Sequence, residues 1–229
     1  MRGLMTRASL SPLPLGYATA MLPLVTIHLC FVISILEGYI EPCLPYWIDC
    51  TSISKSGRYG SAYFVFKGGM IPSSVLLIMF WQLNRRWLTT FNRNPNHGFL
   101  YLGAMGSLAL LVYTLTLGHA GEHFRLLRRF GVVLFMFCLF ISELKVGKEL
   151  QLVEGLAKQG KRLLSFSAVI LTLATISLIL DLWLGDDYDR VENTFEWWLV
   201  LLLNLHLAWI VSLWRTSGFN LSARSSASH

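Results

Sequence analysis

Between two long apolar runs, the chain reads Glu41-Pro42-Cys43-Leu44-Pro45-Tyr46-Trp47-Ile48-Asp49. The two prolines fix the backbone dihedral φ and cannot donate a hydrogen bond, so this stretch is predicted to be a rigid turn rather than a helix. Tyr46 and Trp47 are side chains that favour the boundary between membrane and water. The flanking runs, residues 17–36 and 61–83, each have the length of a membrane-spanning helix. The turn is therefore expected just outside a bilayer, between the first two spans.

The composition is that of an integral membrane protein. Of the 229 residues, 54% are hydrophobic and only 14% are charged, and the mean hydropathy is +0.54. A soluble domain carries about 25% charged residues. The net charge of +6 does not indicate nucleic-acid binding, because the basic residues lie in short connections between apolar runs. We expect membrane lipids and other membrane proteins as partners, and we expect no nucleic acid, no metal and no cofactor.

Six apolar runs predict an all-α membrane protein, a bundle of six transmembrane helices. They cover residues 17–36, 61–83, 98–117, 130–142, 163–180 and 197–214. The fourth run is the shortest, bounded by Arg128-Arg129 and, at its cytoplasmic end, by Glu143, so it crosses only if the basic side chains reach the membrane surface. Residues 1–16 are expected to be a cytoplasmic N-terminus, residues 17–215 the membrane domain, and residues 216–229 a disordered cytoplasmic tail.

The distribution of Lys and Arg predicts the orientation. With both termini in the cytoplasm, the cytoplasmic segments hold 12 of the 19 basic residues and the outer segments hold six, while Lys67 lies within the second span. An excess of basic residues marks the cytoplasmic side of a membrane protein, so both termini are predicted to be cytoplasmic. Ten of the 13 acidic residues fall on the outer side.

Two cysteines, Cys43 and Cys50, flank the turn. They could form a disulfide bond if the outer side is oxidising, although their spacing does not establish the geometry. Cys30 and Cys138 lie inside apolar runs, where packing is the simplest role for a thiol.

A second pattern, His119-Ala120-Gly121-Glu122-His123, matches the H-x-x-E-H motif of one class of zinc peptidases. That motif needs a continuous helix that places both imidazoles on one face, and glycines interrupt the helix here. His119, Glu122 and His123 are therefore only weak candidates for a catalytic set. The alternatives are a polar loop at the membrane surface, or a lipid-headgroup site in which the arginines that follow bind phosphate.

Four polar side chains fall inside the predicted spans: His28, Lys67, Asn204 and His206. Lys67 lies near the outer end of its span, so it either extends to the surface or pairs with an outer acid such as Glu37 or Glu196. His28 and His206 lie near the middle of their spans, where polar groups face the inside of the bundle. We expect them to make interhelical hydrogen bonds, because the sequence indicates no carboxylate at that depth for a proton relay.

In its position between the first two spans, the turn resembles the family of damage-regulated autophagy modulators (DRAM) and their Frag-type and Sfk-type relatives, also described as the Cwh-type N-terminal domain. The family pattern reads N-P-x-L-P-Y-I-S-D, and the matching residues are Pro42, Leu44, Pro45, Tyr46 and Asp49. Glu196-Trp197, which opens the sixth span, also resembles the family. Glu41 stands where the family has asparagine, and Ile48 where it has serine. The resemblance covers nearly the whole chain.

The resemblance implies a six-span fold with an outer structural motif made of Pro42, Pro45, Tyr46, Asp49, Glu196 and Trp197. It implies a multi-pass membrane protein that acts in autophagy-linked membrane traffic or lipid homeostasis without catalysis of its own. The alternative is a Frag-type factor in GPI-anchor lipid remodelling, either a lipid-modifying enzyme or a subunit of one. The expected location is an endomembrane (lysosome, endoplasmic reticulum or Golgi) or the plasma membrane. A transporter built around Lys67 is less favoured, because no pair of discontinuous helices is evident.

Overall fold

The computed structural model describes residues 9–91 and 95–222 and is built mainly of helices. The helices are α1 (Leu13–Leu36), α2 (Ile53–Ser56), α3 (Gly60–Thr89), α4 (Gly98–Thr116), α5 (Glu122–Gln151), α6 (Ala157–Leu184) and α7 (Asp189–Thr216). A 3-10 turn at Gly185–Tyr188 joins α6 to α7. Two short strands, β1 (Ser9–Leu10) and β2 (Leu221–Ser222), pair in the antiparallel direction.

Five helical segments are long and apolar enough to cross a membrane: Leu13–Leu36, Gly60–Thr89, Gly98–Thr116, Glu122–Gln151 and Ala157–Thr216. The turn at Gly185–Tyr188 divides the last segment into α6 and α7, each of 28 residues. A helix of about 20 residues crosses the hydrocarbon core of a bilayer. The all-α class predicted from the sequence is confirmed, and these segments make the chain an integral, multi-pass membrane protein.

Two segments differ from the sequence expectations. α5 has 30 residues and continues well beyond the apolar run at 130–142 on both sides, because the charged residues that bound the run also lie in the helix. It therefore has ample length to cross a bilayer. In the expected disordered tail, residues 216–222 are ordered, since Thr216 ends α7 and β2 returns to pair with β1. Residues 1–8 and 223–229 of the expected N-terminal segment and tail lie outside the described residues.

The long helices run alternately between two faces of the bundle. The loop face carries the connection between α1 and α3 (residues 37–59), the turn between α4 and α5, and the 3-10 turn before α7. The opposite face, here called the terminal face, carries the β1–β2 pair. At the terminal face, the indole Nε1 of Trp87 donates to the hydroxyl of Ser217 at 2.9 Å and ties the end of α3 to the end of α7. Both described ends of the chain therefore lie on one face.

Aromatic side chains and close-packed small residues hold the helices together. Trp81, Trp87 and Trp214 are fully buried towards the terminal face, and Trp197 is fully buried towards the loop face. Gly103 lies so close to the Trp81 indole that a Cβ atom there would come within 2.4 Å of the ring. In lipid, where apolar transfer gives little driving force for helix association, such close packing is the main source of stability.

Candidate functional site

The loop face is covered by residues 37–59, whose carbonyl groups are bound by side chains from the start of α7. The hydrogen bonds run from Trp198 Nε1 to the Tyr46 carbonyl (3.2 Å), from Thr194 Oγ1 to that of Trp47 (2.7 Å), from Asn193 Nδ2 to that of Cys50 (2.8 Å) and from Trp197 Nε1 to that of Thr51 (2.9 Å). A turn with two prolines cannot satisfy these carbonyls internally, so α7 supplies the donors. We call the contacts between residues 46–53 and residues 190–198 the latch.

Asp49 forms the ion pair of the latch, with Arg190. Its carboxylate accepts two hydrogen bonds from Arg190, Nε to Oδ1 at 2.9 Å and Nη2 to Oδ2 at 2.8 Å, and its backbone N–H donates to the Arg190 carbonyl at 2.8 Å. The hydrogen-bonded Arg190 guanidinium holds the pKa of the Asp49 carboxyl below its usual range. Asp49 has φ of 59°, a left-handed conformation that Asp and Asn tolerate better than most other residues.

Glu196 and Trp197, the two residues of the family-like motif that lie on α7, face the inner side of the loop formed by residues 37–59. Glu196 accepts a hydrogen bond from the backbone N–H of Ile53 at 3.0 Å, where α2 begins. Trp197 is fully buried, and its ring packs edge-on against those of His28 and Phe31. These contacts fix α2 and α1 against α7.

His28 binds the turn rather than another helix, which corrects the expected interhelical hydrogen bond. Its Nδ1 lies 2.7 Å from the Leu24 carbonyl and its Nε2 lies 2.8 Å from the Tyr46 hydroxyl. Since a carbonyl only accepts, Nδ1 carries the proton and Nε2 accepts from Tyr46. Burial raises the pKa of the Tyr46 hydroxyl, so Tyr46 is held as the donor.

The prolines and cysteines shape the turn itself. Pro45 is buried and occupies the second position of a turn in which the Trp47 N–H donates to the Leu44 carbonyl at 2.9 Å, whereas Pro42 is exposed. Cys43 and Cys50 are joined by a disulfide bond, with their Cα atoms 5.6 Å apart. Cys30 and Cys138 are free thiols buried in the bundle.

Lys67 does not pair with Glu37 or Glu196, so that part of the sequence interpretation was wrong. Its ammonium donates to the hydroxyl of Tyr63 at 2.5 Å and to the Leu115 carbonyl at 3.3 Å. Glu37 instead accepts from the backbone N–H of Ser61, and Glu196 accepts from Ile53. Lys67 therefore reaches towards the end of α4 at the loop face, in agreement with an extended side chain.

His119, Glu122 and His123 do not form a common site. His119 precedes Gly121, whose φ of 110° separates it from α5, and its ring stacks on Phe124. Glu122 pairs with Arg125. Within residues 9–91 and 95–222, no three His, Cys, Asp or Glu side chains are grouped so that they could hold a metal ion.

His206 and Glu143 meet inside the bundle, and both are fully buried. His206 Nδ1 lies 3.7 Å from Glu143 Oε2, and its Nε2 lies 3.1 Å from the Ser167 hydroxyl and 3.3 Å from the Leu163 carbonyl. The interhelical bond expected for His206 is therefore present, to α6. The expectation that no carboxylate lies near His206 was wrong. Glu143 was expected at the membrane surface, but its side chain points from α5 into the bundle.

Helical spacing could have placed Glu143 correctly. It lies on the same buried stripe of α5 as Leu139, Ser142, Val146 and Leu150, with spacings of three and four residues that define one helix face. Glu143 directly follows the uncharged run at residues 130–142, but the buried stripe continues past it to Leu150.

A partly open cavity of about 50 Å³ lies in the bundle behind the latch. Its wall is mostly apolar and includes Phe66, Leu110, Val132, Phe135, Met136 and Val200. Glu196, Tyr113 and Asn204 add polar groups, and the Asn204 amide donates to the Val200 carbonyl of its own helix at 2.8 Å.

The latch thus brings together residues that are far apart in the sequence. Tyr46 and Asp49 from the turn lie against α7, where Glu196 and Trp197 bind residues 51–53. Comparison of the chain with protein-family models, with curated proteins and with solved structures found no match.

Proposed function

We propose that the chain is a six-span membrane protein similar to the DRAM, Frag and Sfk families, that it acts in autophagy-linked membrane traffic or lipid homeostasis, and that it has no catalysis of its own. The observation that carries the proposal is the latch. Residues of the family-like pattern that are about 150 positions apart in the sequence lie together: the rings of Tyr46 and Trp197 have their centroids 5.9 Å apart, and Glu196 binds the Ile53 N–H. Its place is an endomembrane or the plasma membrane.

Six crossings with both termini in the cytoplasm are supported by two further observations. α6 and α7 each have 28 residues, which is more than the roughly 20 that a crossing needs. The β1–β2 pair holds the two ends of the described chain on one face, and most basic residues fall in segments on that side.

A role without catalysis is supported by how the polar side chains of the loop face are used. Asp49 is bound by Arg190, Glu196 by the Ile53 N–H, and Glu122 by Arg125. General acid–base chemistry needs a group that can reach a reacting atom and exchange a proton with it. These carboxylates instead hold backbone and side-chain partners in place.

The test removes the protein from cells that produce it and measures autophagic flux and membrane lipids by mass spectrometry. We expect altered flux or lipid composition with unchanged acyl chains on GPI anchors. The wild type should restore the phenotype, and a variant with a broken latch, Trp197→Ala, should not. Altered GPI acyl chains would contradict the proposal and support the Frag-type alternative. If flux, membrane lipids and GPI acyl chains all stay unchanged, both the proposed function and the Frag-type alternative are contradicted.

A further inference from the structure

The bundle contains an ionisable pair that takes no part in the latch. Glu143 of α5 and His206 of α7 are fully buried, with His206 Nδ1 3.7 Å from Glu143 Oε2. Among the described residues, both carboxyl oxygens of Glu143 and the Nδ1 of His206 lack a hydrogen-bond partner. Ionisable side chains inside a membrane are costly and mark paths for protons or ions. Since no third His, Cys, Asp or Glu of the described chain joins them, a metal ion lacks ligands and a proton fits.

Charged groups on the surrounding helices do not neutralise Glu143. It forms no salt bridge with Lys or Arg in the part of the chain that the structure describes. On α5 itself, Lys145 and Glu149 are half-buried and Lys148 is exposed. His206 is therefore the titratable partner of Glu143 among the described residues. The other titratable groups at this end of α3, α4, α6 and α7 are exposed, namely Arg85, Arg86, Tyr101, Lys158, Lys161, Arg162 and Arg215.

The cavity behind the latch leads from the loop face towards this pair. Its wall follows α7 from Glu196 to Leu207, over about three turns or about 16 Å. Leu207 is the neighbour of His206 in the chain. Leu139, also in the wall, lies one turn before Glu143 on the buried stripe of α5. The remaining gap is one helical turn, about 5.4 Å, which one water molecule or a new rotamer of Glu143 spans.

The cavity has room and polar groups for a short file of water molecules. At about 50 Å³ it holds about three or four, since one water needs roughly 10–15 Å³. Half-buried Glu196 lies at the upper end, and Tyr113 and Asn204 add polar atoms along the wall. A water molecule in a protein interior needs such partners. The cavity can therefore carry protons between Glu196 and the buried pair.

The side of the pair that faces the termini is closed. Val146 follows Glu143 on α5 by three residues, and Ile210 and Trp214 follow His206 on α7 by four and eight. These positions lie on the same helix faces as the pair, and all three side chains are apolar and fully buried. Protons are therefore expected to reach the pair from the loop face.

We propose that Glu143 and His206 form a proton-binding site inside the membrane, which exchanges its proton with the loop side through the cavity and Glu196. The O–H bond of neutral Glu143 breaks, the proton moves along the water file, and an O–H bond forms on the Glu196 carboxylate. The negative charge thereby moves from Glu196 to Glu143. A buried carboxylate is unfavourable, so the reverse transfer restores the neutral acid. This activity goes beyond the proposed role in membrane traffic or lipid homeostasis and does not depend on it.

The site is tested with the full chain in detergent, transferred from ordinary to heavy water. Infrared difference spectra follow the C=O stretch of a neutral carboxylic acid, which lies above the amide I band. We expect a band that Glu143→Gln removes and that the exposed Glu154→Gln keeps. The band should shift about tenfold or more faster than the buried amides of α7 exchange, because those amides wait for local opening. A band that shifts only with the amides, or no band that depends on Glu143, would overturn the proposal.

Two neighbouring valines test the path. Val132 is part of the cavity wall, whereas Val133 is 66% exposed on the outside of α5. Val132→Phe fills the cavity and should slow deuteration of Glu143 by about tenfold or more, because exchange must then wait for local opening. Val133→Phe adds the same atoms outside the cavity and should change the rate by less than about twofold. Equal rates in the two variants would overturn the path through the cavity.

Glu196→Gln tests the path independently if Val132→Phe fails to fold. The amide oxygen of the new side chain still accepts from the Ile53 N–H, but it cannot take up a proton at neutral pH. Deuteration of Glu143 should slow as in Val132→Phe. The matched control is Glu192→Gln, at an exposed position one turn earlier on α7, which should keep the wild-type rate. Equal rates in these two glutamine variants would overturn the role of Glu196.

Discussion

The carboxyl group of Glu143 has no exposed surface, so it is stable inside the bundle only if its charge is neutralised. Its neighbour His206 directs Nε2 at the Leu163 carbonyl, which only accepts, so the imidazole proton lies on Nε2 and Nδ1 is an acceptor. Nδ1 faces Glu143 Oε2 at 3.7 Å. Two acceptors facing each other are unfavourable, and the arrangement is resolved when Glu143 is a neutral acid that donates to Nδ1.

This arrangement predicts different outcomes for two substitutions at Glu143. Glu143→Gln keeps the volume and offers an N–H donor to His206, so it should change the free energy of unfolding by less than about 1 kcal/mol. Glu143→Lys buries an uncompensated charge and should cost about 3–5 kcal/mol. Thermal unfolding in detergent gives both values, with the exposed Glu154→Gln as the control. Equal destabilisation by Gln and Lys would show that the pair with His206 is ionic.

Asp49 combines a left-handed backbone with a charged pair, and two variants separate these contributions. Asp49→Asn tolerates the φ of 59° and removes only the charge, so the latch should loosen slightly. Asp49→Val adds backbone strain of about 1–2 kcal/mol and should loosen it further. Hydrogen exchange at the amide of Ile53 reports the latch directly. Equal exchange in both variants would mean that the backbone conformation contributes nothing.

The pH dependence of the latch follows from the same residue. Arg190 holds the pKa of Asp49 below 3.8, its value without such a partner. A depressed carboxyl pKa gives stability that is fully present above the unfolded pKa and is lost as the pH falls through the folded pKa. Exchange protection at the amide of Asp49, which donates to the Arg190 carbonyl, should therefore be constant between about pH 7 and about pH 5 after correction for the intrinsic rate. A loss of protection within that window would mean that another group controls the latch.

At the scale of single elements, α7 has the largest role, because its first three turns supply the side-chain donors of the latch. Trp197 is fully buried and binds the Thr51 carbonyl, whereas Trp198 is 40% exposed and binds the Tyr46 carbonyl. Trp197→Ala should therefore cost about 3–5 kcal/mol, and Trp198→Ala, as the matched control, about 1 kcal/mol. Thermal unfolding and proteolysis of residues 37–59 measure the two effects. Similar costs would contradict a larger contribution of the buried Trp197 to stability.

The sequence predicted the elements better than their contacts. Apolar runs of membrane length and paired prolines are local signals, so the helices and the turn at 41–49 could be found from the sequence. The latch donors Arg190, Asn193 and Thr194 could not be identified from the sequence. Polar residues at the start of a helix are typical of a solvated connection, and only the packing of α7 brings these three to the turn. Glu143 was misplaced for the opposite reason, since its charge outweighed the apolar stripe on which it lies.

For the whole molecule, the pairing of β1 with β2 limits the topology. Because Leu10 pairs with Leu221, the N-terminal and C-terminal ends of the described chain lie on the same side. Ends on one face agree with an even number of membrane crossings, and therefore with separate crossings by α6 and α7 rather than one crossing by the segment Ala157–Thr216. In the proposed six-span topology, the loop face and its latch lie across the membrane from both described ends of the chain.

Glycosylation tests this topology, because Asn220-Leu221-Ser222 is the only N-x-[ST] sequon in the sequence. Glycan transfer occurs on the lumenal side, so an Asn220 on the cytoplasmic side stays unmodified although it is exposed. Ser52→Asn creates a sequon at residues 52–54 on the loop face and keeps a good N-cap for α2, so it should be glycosylated. The measurement is a glycosidase-sensitive mobility shift in a secretory cell. A shift of the wild type that disappears in Asn220→Gln would place the tail in the lumen and contradict the proposed orientation. If Ser52→Asn then adds a further shift, the loop face is lumenal as well, and the even number of membrane crossings is also contradicted. If Ser52→Asn adds none, only the orientation is contradicted.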